Sequence, residues 1–338
     1  MRITFSKVNR LITFDVLLPL VTATVLSALA LISEPALAGS GEKPLVFPSS
    51  YSSGWILDVP VDPGLECNIH GKRLAKAQGV VKIATGKHLK FEPSGQFFRH
   101  PECMLKLPPN AFDYLELSFS SMEDSEESFS NKIIPFVLHL KGLKAISLDK
   151  TDTTDNAAAK LGALPNLQCL SFSESLVTSK CLMQLQNCKS LRFLRFGGVQ
   201  IDEPSLQYLS QLPNLKRLTI SHTNLTKNGL EQICKCKGLI NLSISKNPAI
   251  DDSCITLLLK LKNLKILDLA ETKITMAGLE RLTCRKDLDL CPPLKFSCYS
   301  TQEKARLKKL FPDSRFDRES NMNKKMNSDL SDFFDVSK

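Results

Sequence analysis

Residues 215–244 read LKRLTISHTNLTKNGLEQICKCKGLINLSI, and this stretch decides the fold because it holds one complete repeat and the start of the next. The pattern L-x-x-L-x-I begins at Leu215 and returns 24 residues later at Leu239. Its last two apolar positions are two residues apart, which predicts a short β-strand. Thr226 then precedes apolar residues at Leu230 and Ile233, so a helix is predicted to begin at a threonine cap.

The same pattern occurs six times between Leu143 and Leu282, at a period of 24 residues that slips once to 25. A strand of about five residues and a helix of about ten cannot bury their apolar faces alone, whereas stacked copies share one core. Because strands stack more closely than helices, the predicted α/β solenoid curves with its strands on the concave face. The strand leucines and their equivalents are Leu143, Ile146, Leu148, Leu167, Leu170, Phe172, Leu191, Leu194, Phe196, Leu215, Leu218, Ile220, Leu239, Leu242, Ile244, Leu264, Leu267 and Leu269.

An apolar residue followed by a capping residue lies between strand and helix in five repeats. The caps are Thr178, Asp202, Thr226, Asp251 and Thr275. The segments 225–230 and 274–279 fit the motif I-T-x-x-G-L, with Leu in place of the first Ile in the former. At these residues the chain resembles the leucine-rich repeat family, in particular its short helical repeats, which include bacterial arrays and cysteine-containing substrate receptors. The resemblance implies a right-handed solenoid that binds protein and has no shared catalytic residues, so we expect neither enzyme activity nor a cofactor.

The amino terminus has the layout of a secretory signal peptide over residues 1–38. Basic residues precede an apolar run from Val16 to Ile32, and Ala36-Leu37-Ala38 is a small-residue cleavage site. Cleavage after Ala38 would give a secreted, periplasmic or cell-envelope protein with no membrane segment. One alternative is an uncleaved membrane anchor, since the run is close to the length that spans a bilayer, and another is a buried helix of a cytosolic protein.

The remaining chain divides into four predicted regions. Residues 39–110 form an irregular lead-in and a β-rich N-terminal cap, in which 80–83 and 88–91 are strands joined by a tight turn. Residues 111–283 are the solenoid, with an early copy of the strand pattern at Leu115 and an acidic insertion at 122–127. Residues 284–313 are a C-terminal cap, and 314–338 are a polar, disordered tail.

The net charge of +9 is mild for 338 residues and is dispersed along the sequence. No basic block is interleaved with aromatic residues, so nucleic-acid binding is not expected. A protein partner is favoured, and an anionic envelope polymer stays open as a second kind of partner.

Eleven cysteines leave the redox state open. Cys188 and Cys236 occupy core positions of the repeats and are explained as small buried hydrophobes, whereas repeat packing explains Cys181, Cys234 and Cys254 about as well as a redox role does. An exported protein could form disulfides in its caps, and Cys67 with Cys103 is the preferred pair. The same two cysteines with His70 and His100 are the only candidates for a metal-dependent enzyme, although their spacing is not that of a standard zinc site. No metal ligand is therefore assigned.

The predicted binding surface is the concave face, because strand residues between the buried leucines point out of the core. Phe193, Arg195 and Arg217 are large residues of the types found in binding hot spots, on a face that is otherwise small and hydroxylic. We therefore expect an exported, non-enzymatic binding protein. A cytosolic adaptor or substrate receptor is the first alternative, and a metal-dependent enzyme in the cap is the second. The candidate site comprises Phe193, Arg195, Arg217, Thr219, Ser221, Asn241, Ser243 and Asp268, with His222 at its border.

Overall fold

The computed structural model describes residues 41–59, 69–117, 129–314 and 316. Contacts divide the chain into the units Met1–Gly41 and Glu42–Lys338, and the elements below belong to the second unit. The predicted signal peptide, Cys67, the acidic insertion at 122–127 and nearly all of the predicted tail lie outside the described residues. Those expectations therefore stay predictions.

One strand from each repeat joins a long sheet. Within the described residues, eleven strands follow the order β13-β12-β11-β10-β9-β8-β7-β6-β5-β2-β3, and the pairs from β5 to β13 are all parallel. The strands are β1 Glu42–Val46, β2 Gly54–Val59, β3 Lys72–Lys76, β4 Val80–Ala84, β5 His88–Pro93, β6 Tyr114–Glu116, β7 Ala145–Ser147, β8 Cys169–Ser171, β9 Phe193–Gly197, β10 Arg217–Ser221, β11 Asn241–Ser243, β12 Ile266–Asp268 and β13 Asp289–Cys291.

The segments opposite the strands are shorter than predicted. The α-helix in the repeat of Leu182 has four residues, and the repeat of Leu206 has a nine-residue 3-10 helix at Glu203–Gln211 instead. A 3-10 turn is tighter than an α-helix, so it lets repeats stack closer to the strand spacing. The α-helices are α1 Gly95–Arg99, α2 Phe129–Val137, α3 Asp155–Lys160, α4 Leu182–Leu185, α5 Lys227–Ile233, α6 Ile255–Leu258, α7 Met276–Glu280 and α8 Thr301–Leu310, with further 3-10 helices at Pro101–Lys106, Leu161–Ala163, Asp252–Cys254 and Phe296–Cys298.

Four of the five predicted caps are confirmed. The side chains of Asp202, Thr226, Asp251 and Thr275 each accept a hydrogen bond from a backbone N–H of the following turn. Thr178 is the exception, because the next helix begins at Leu182. Its hydroxyl and its N–H instead donate to a carboxylate of the preceding repeat.

A second periodic feature follows each strand. In six consecutive repeats, a residue one to three positions after the end of the strand has a positive φ. Its N–H donates a hydrogen bond to a backbone carbonyl of the next repeat. These bonds extend the sheet beyond its strands, and the predicted strand leucines are buried in one continuous core. The fold is a right-handed leucine-rich repeat solenoid. The positive-φ residues are Lys150, Glu174, Gly198, His222, Lys246 and Glu271.

The N-terminal cap contains the two predicted strands joined by a tight turn, β4 and β5, but these strands do not pair with each other. Strand β4 pairs antiparallel with β1, whereas β5 pairs with β2 and with the first solenoid strand, β6. The turn at 85–87 therefore connects two sheets instead of two neighbouring strands. At the other end, α8 has a capping box in which Ser300 and Glu303 exchange hydrogen bonds. None of the helices within the described residues has the length and hydropathy to cross a bilayer.

Candidate functional site

The candidate site lies on the concave face, where two rows of side chains run across the strands. The strands pair in register, so the first residues of neighbouring strands lie side by side and form one row across the sheet. The third residues of the same strands form a second row. The first row is Tyr114, Ala145, Cys169, Phe193, Arg217, Asn241 and Ile266, and the second row is Glu116, Ser147, Ser171, Arg195, Thr219, Ser243 and Asp268.

Much of the first row is buried, which corrects the expectation of an exposed aromatic hot spot. The exposed fraction is 4% for Phe193, 6% for Arg217 and 1% for Asn241. Val59 and Ile69 of the N-terminal cap pack in one apolar cluster with this row, from Tyr114 to Phe193. The cap reaches the concave face because β2 and β5 continue the same sheet. The spacing of residues in the sequence does not predict this contact.

Phe193 and Arg217 contact each other directly. The guanidinium of Arg217 lies over the ring of Phe193, 4.7 Å from its centroid, which is a cation–π contact. This arrangement leans the Arg217 side chain from β10 toward β9. The predicted grouping of these two residues is therefore observed, although both serve partly as packing.

An open cavity of about 630 Å³ lies over the middle of the concave face. The structure brings seven of the eight predicted site residues to its wall and leaves out Asn241, which lies beneath the surface beside Arg217. His222 lines it too. The lining comprises Ser173, Glu174, Phe193, Arg195, Gly197, Gly198, Arg217, Thr219, Ser221, His222, Ser243, Ser245, Lys246 and Asp268.

The charges around the cavity are mixed. Arg195, Arg217 and Lys246 are cationic, and Glu174 and Asp268 are anionic. Asp268 accepts hydrogen bonds from the Ser243 hydroxyl at 2.8 Å and from the Ala270 N–H at 3.0 Å, so its carboxylate is held in place. The Nε of Arg195 is buried with no hydrogen-bond partner among the described residues. Arg195 therefore carries a donor that no described residue uses.

Sequence reasoning missed Glu174, Gly198 and Lys246. They are the positive-φ residues that follow β8, β9 and β11, and they line the cavity together with His222. A comparison of the residues that recur at this repeat position would have found them, because Glu174, Gly198, His222 and Lys246 are 24 residues apart. The alternation of the strand ends before that position, where only His222 is predicted, at the border of the site.

The cysteine pairing predicted between Cys67 and Cys103 is wrong. Cys103 is a free, buried thiol whose sulfur lies 3.7 Å from the Ser53 hydroxyl, within the apolar base of the cap. Cys169 of the first row is disulfide-bonded instead. Buried thiols of the repeats are free, and burial raises the pKa of Cys188 to about 11 and those of Cys234 and Cys236 to about 12.

The cap residues considered for a metal site have other contacts. His100 pairs with Glu102 at 3.3 Å and packs against the ring of Tyr51. Cys103 faces Ser53. Within the described residues, no three histidine, cysteine, aspartate or glutamate side chains converge as metal ligands would.

Comparison with known proteins adds loose structural similarity. No family model matches the sequence, and no curated protein matches it. An internalin (inlF) of Listeria monocytogenes is 17% identical, with 55% of this chain and 56% of that chain covered and a TM-score of 0.37. An internalin C2 of the same organism is 21% identical, with 49% and 62% covered and a TM-score of 0.36.

A structure of a TLR13–ssRNA13 complex is also similar, at 18% identity, with 57% of this chain and 26% of that chain covered and a TM-score of 0.37. This chain spans less than two thirds of the length of each of these three chains. The fold assignment rests on the repeat pattern and the strand topology.

Proposed function

We propose that this chain is an exported, non-enzymatic binding protein that holds a protein partner in the cavity of its concave face. The observation that carries the proposal is the cavity of about 630 Å³, whose wall contains Arg195 with an unused buried donor. A solenoid presents such a surface on rigid strands, so little ordering is needed when a partner binds. The short, bacterial-like repeat subtype is part of the same proposal.

The disulfide at Cys169 supports export. Disulfides persist in oxidising compartments and are rare in the cytosol, where thiols are kept reduced. The signal-like layout of residues 1–38 points in the same direction. A reduced Cys169 in the protein isolated from its native source would instead favour a cytosolic adaptor.

Site-specific photo-cross-linking tests where the partner binds. A photoreactive amino acid replaces Thr219 inside the cavity, and in a second protein it replaces Met183, which is 47% exposed and belongs to α4, on the opposite face from the strands. We expect a protein partner to be cross-linked from position 219 in native extracts and not from position 183. Equal cross-linking from both positions, or none from 219, would contradict the concave site.

Matched charge reversals provide the control. Arg195→Glu with Lys246→Glu changes two cations of the cavity, while Lys180→Glu with Lys235→Glu makes the same change at exposed residues away from it. Reversing buried or central charges at an interface costs several kcal/mol, whereas distant surface charges contribute little. Only the protein with the two cavity substitutions should lose the partner. Both double variants must have the same melting temperature as the unchanged protein.

A further inference from the structure

The side-chain amide of Asn241 on β11 makes no hydrogen bond within the described structure. Its exposed fraction is 1%, and neither its Oδ1 nor its Nδ2 has a hydrogen-bond partner among the described residues. Burying an amide without partners is unfavourable, because its hydrogen bonds to water are lost and not replaced. Buried polar groups of this kind are uncommon and require an explanation.

The neighbours of Asn241 connect it to the cavity. Its register partners are Arg217 on β10 and Ile266 on β12, and Ser243 lies two residues further along its own strand. Arg217 and Ser243 both line the cavity. Because the Arg217 guanidinium is stacked over Phe193 on β9, it leans away from β11. A ligand that enters between Arg217 and Ser243 would meet the amide of Asn241.

The amide and Arg195 define complementary chemistry. A primary amide has one donor side and one acceptor side, which matches a peptide group of an extended backbone. A guanidinium is a planar fork that matches a carboxylate in two parallel hydrogen bonds. Glu174 and Asp268 lie in the same cavity, so a single carboxylate is tolerated better than a doubly charged phosphate.

We propose that the site binds an extended acidic peptide segment of the partner, with one backbone peptide group paired to Asn241 and one aspartate or glutamate paired to Arg195. This inference rests on the proposed function and specifies the partner's chemistry. Arg195 is two strands and two residues away from Asn241. That offset is about 12 Å between Cα atoms, which an extended peptide covers in three or four residues of about 3.3 Å each.

Selection from a displayed library of random linear peptides tests the proposal. Peptides of about twelve residues span about 40 Å when extended, enough to cross the site. The unchanged full chain should enrich peptides that, once aligned with one another, share an aspartate or glutamate at one position. Arg195→Glu should enrich lysine or arginine there instead, whereas the control Lys180→Glu should keep the acidic preference.

The role of Asn241 needs a separate readout. A selected peptide, labelled with a fluorophore, should bind Asn241→Leu at least about tenfold more weakly, because the hydrogen bonds between the amide and the peptide group are lost. N-methylation at one backbone position should weaken binding to the unchanged protein by a similar factor and leave binding to Asn241→Leu unaffected. Free Asn241→Leu should melt about 2–4 °C higher, because an unpaired buried amide has been removed.

The outcomes separate this inference from the proposed function. If a partner is cross-linked from position 219 but the library shows no acidic preference, or Arg195→Glu leaves that preference unchanged, the acidic-peptide inference is wrong and the binding function stands. A lower melting temperature of Asn241→Leu with unchanged peptide affinity assigns Asn241 a structural role and also overturns the inference. If cross-linking and selection both fail, both proposals fall.

Discussion

At the scale of single residues, burial controls the chemistry of the cysteines. Cys188, Cys234 and Cys236 fill buried core positions of the repeats, where loss of hydration disfavours the thiolate. Desolvation raises their pKa values to about 11, about 12 and about 12, respectively. Because the thiolate is the reactive form, these side chains behave as small hydrophobic residues at neutral pH.

Alkylation of the native protein at pH 8 should therefore be selective. Cys284 and Cys298 are free and exposed, so iodoacetamide should modify them first. The three buried thiols should stay unmodified until the chain is unfolded, because both access and thiolate formation are suppressed. Peptide mass spectrometry of samples labelled with and without urea measures this difference. Modification of Cys188 as fast as Cys284 in the native protein would contradict it.

At the scale of the elements, acidic side chains connect consecutive repeats. Asp155, Glu203 and Asp252 each follow a capping position, and each accepts hydrogen bonds from the N–H and the hydroxyl of the threonine one repeat later. The threonines are Thr178, Thr226 and Thr275. The carboxylates come from alternate repeats, so the array is joined in pairs on its helical side.

The glycine of the I-T-x-x-G-L motif is explained by these contacts. A Cβ at Gly278 would lie 2.1 Å from Oδ1 of Asp252, and a Cβ at Gly229 would lie 2.6 Å from Oε1 of Glu203. Glycine is unfavourable inside a helix. It is used in α5 and α7 because only hydrogen leaves room for the carboxylate of the preceding repeat.

A double-mutant cycle tests this explanation. Gly278→Ala should destabilise the protein by roughly 1 kcal/mol or more, because Asp252 must move away from Thr275 and its hydrogen bonds are lost. In an Asp252→Ala background the same change should stabilise by roughly 0.5–1 kcal/mol, as alanine ordinarily does in a helix. Urea unfolding measures both free energies.

Gly95→Ala is the matched control for that cycle. Gly95 is the first residue of α1, and a Cβ there would meet no atom within 4 Å. Its replacement should have the same small effect with or without Asp252. If Gly278→Ala has the same sign in both backgrounds, the steric explanation of the motif is wrong.

At the scale of the whole molecule, one apolar core connects the solenoid and both caps. It extends from Leu45 in β1 to Phe316 after α8. The smaller cluster on the concave face adds a second contact between the N-terminal cap and the repeats, through Val59 and Ile69. The disulfide at Cys169 lies in the strand row of that smaller cluster. The N-terminal cap is therefore attached on both sides of the sheet.

Reduction should reveal the contribution of this disulfide. Alkylation of the unfolded chain should add two more groups after reduction than before it, since one disulfide occupies two of the eleven cysteines. Reduction should also lower stability by about 2–5 kcal/mol, because the unfolded chain is no longer cross-linked. Intact-mass measurement counts the added groups, and thermal melting measures the loss of stability. Equal numbers of added groups would show that all thiols are reduced, and would weaken the case for export.

The sequence predicted the repeats well and the accessibility of the site poorly. Leu218 and Ile220 lie in one strand, β10, at the expected position, because a period of two and a fixed repeat length constrain the local backbone. The helices were predicted too long, since periodicity does not distinguish a 3-10 turn from an α-helix. Phe193 was expected to be exposed, but Val59 and Ile69, more than a hundred residues earlier in the chain, pack in the same cluster.

The sequence by itself determined the solenoid and which side chains point to the concave face, because these follow from local alternation repeated at a constant spacing. Only the tertiary structure decided which of those side chains remain accessible. Cap residues that pack on the first row, the stacking of Arg217 on Phe193 and the unpaired amide of Asn241 all depend on contacts between segments far apart in the chain. Such contacts leave no periodic pattern, since they occur once and not in every repeat.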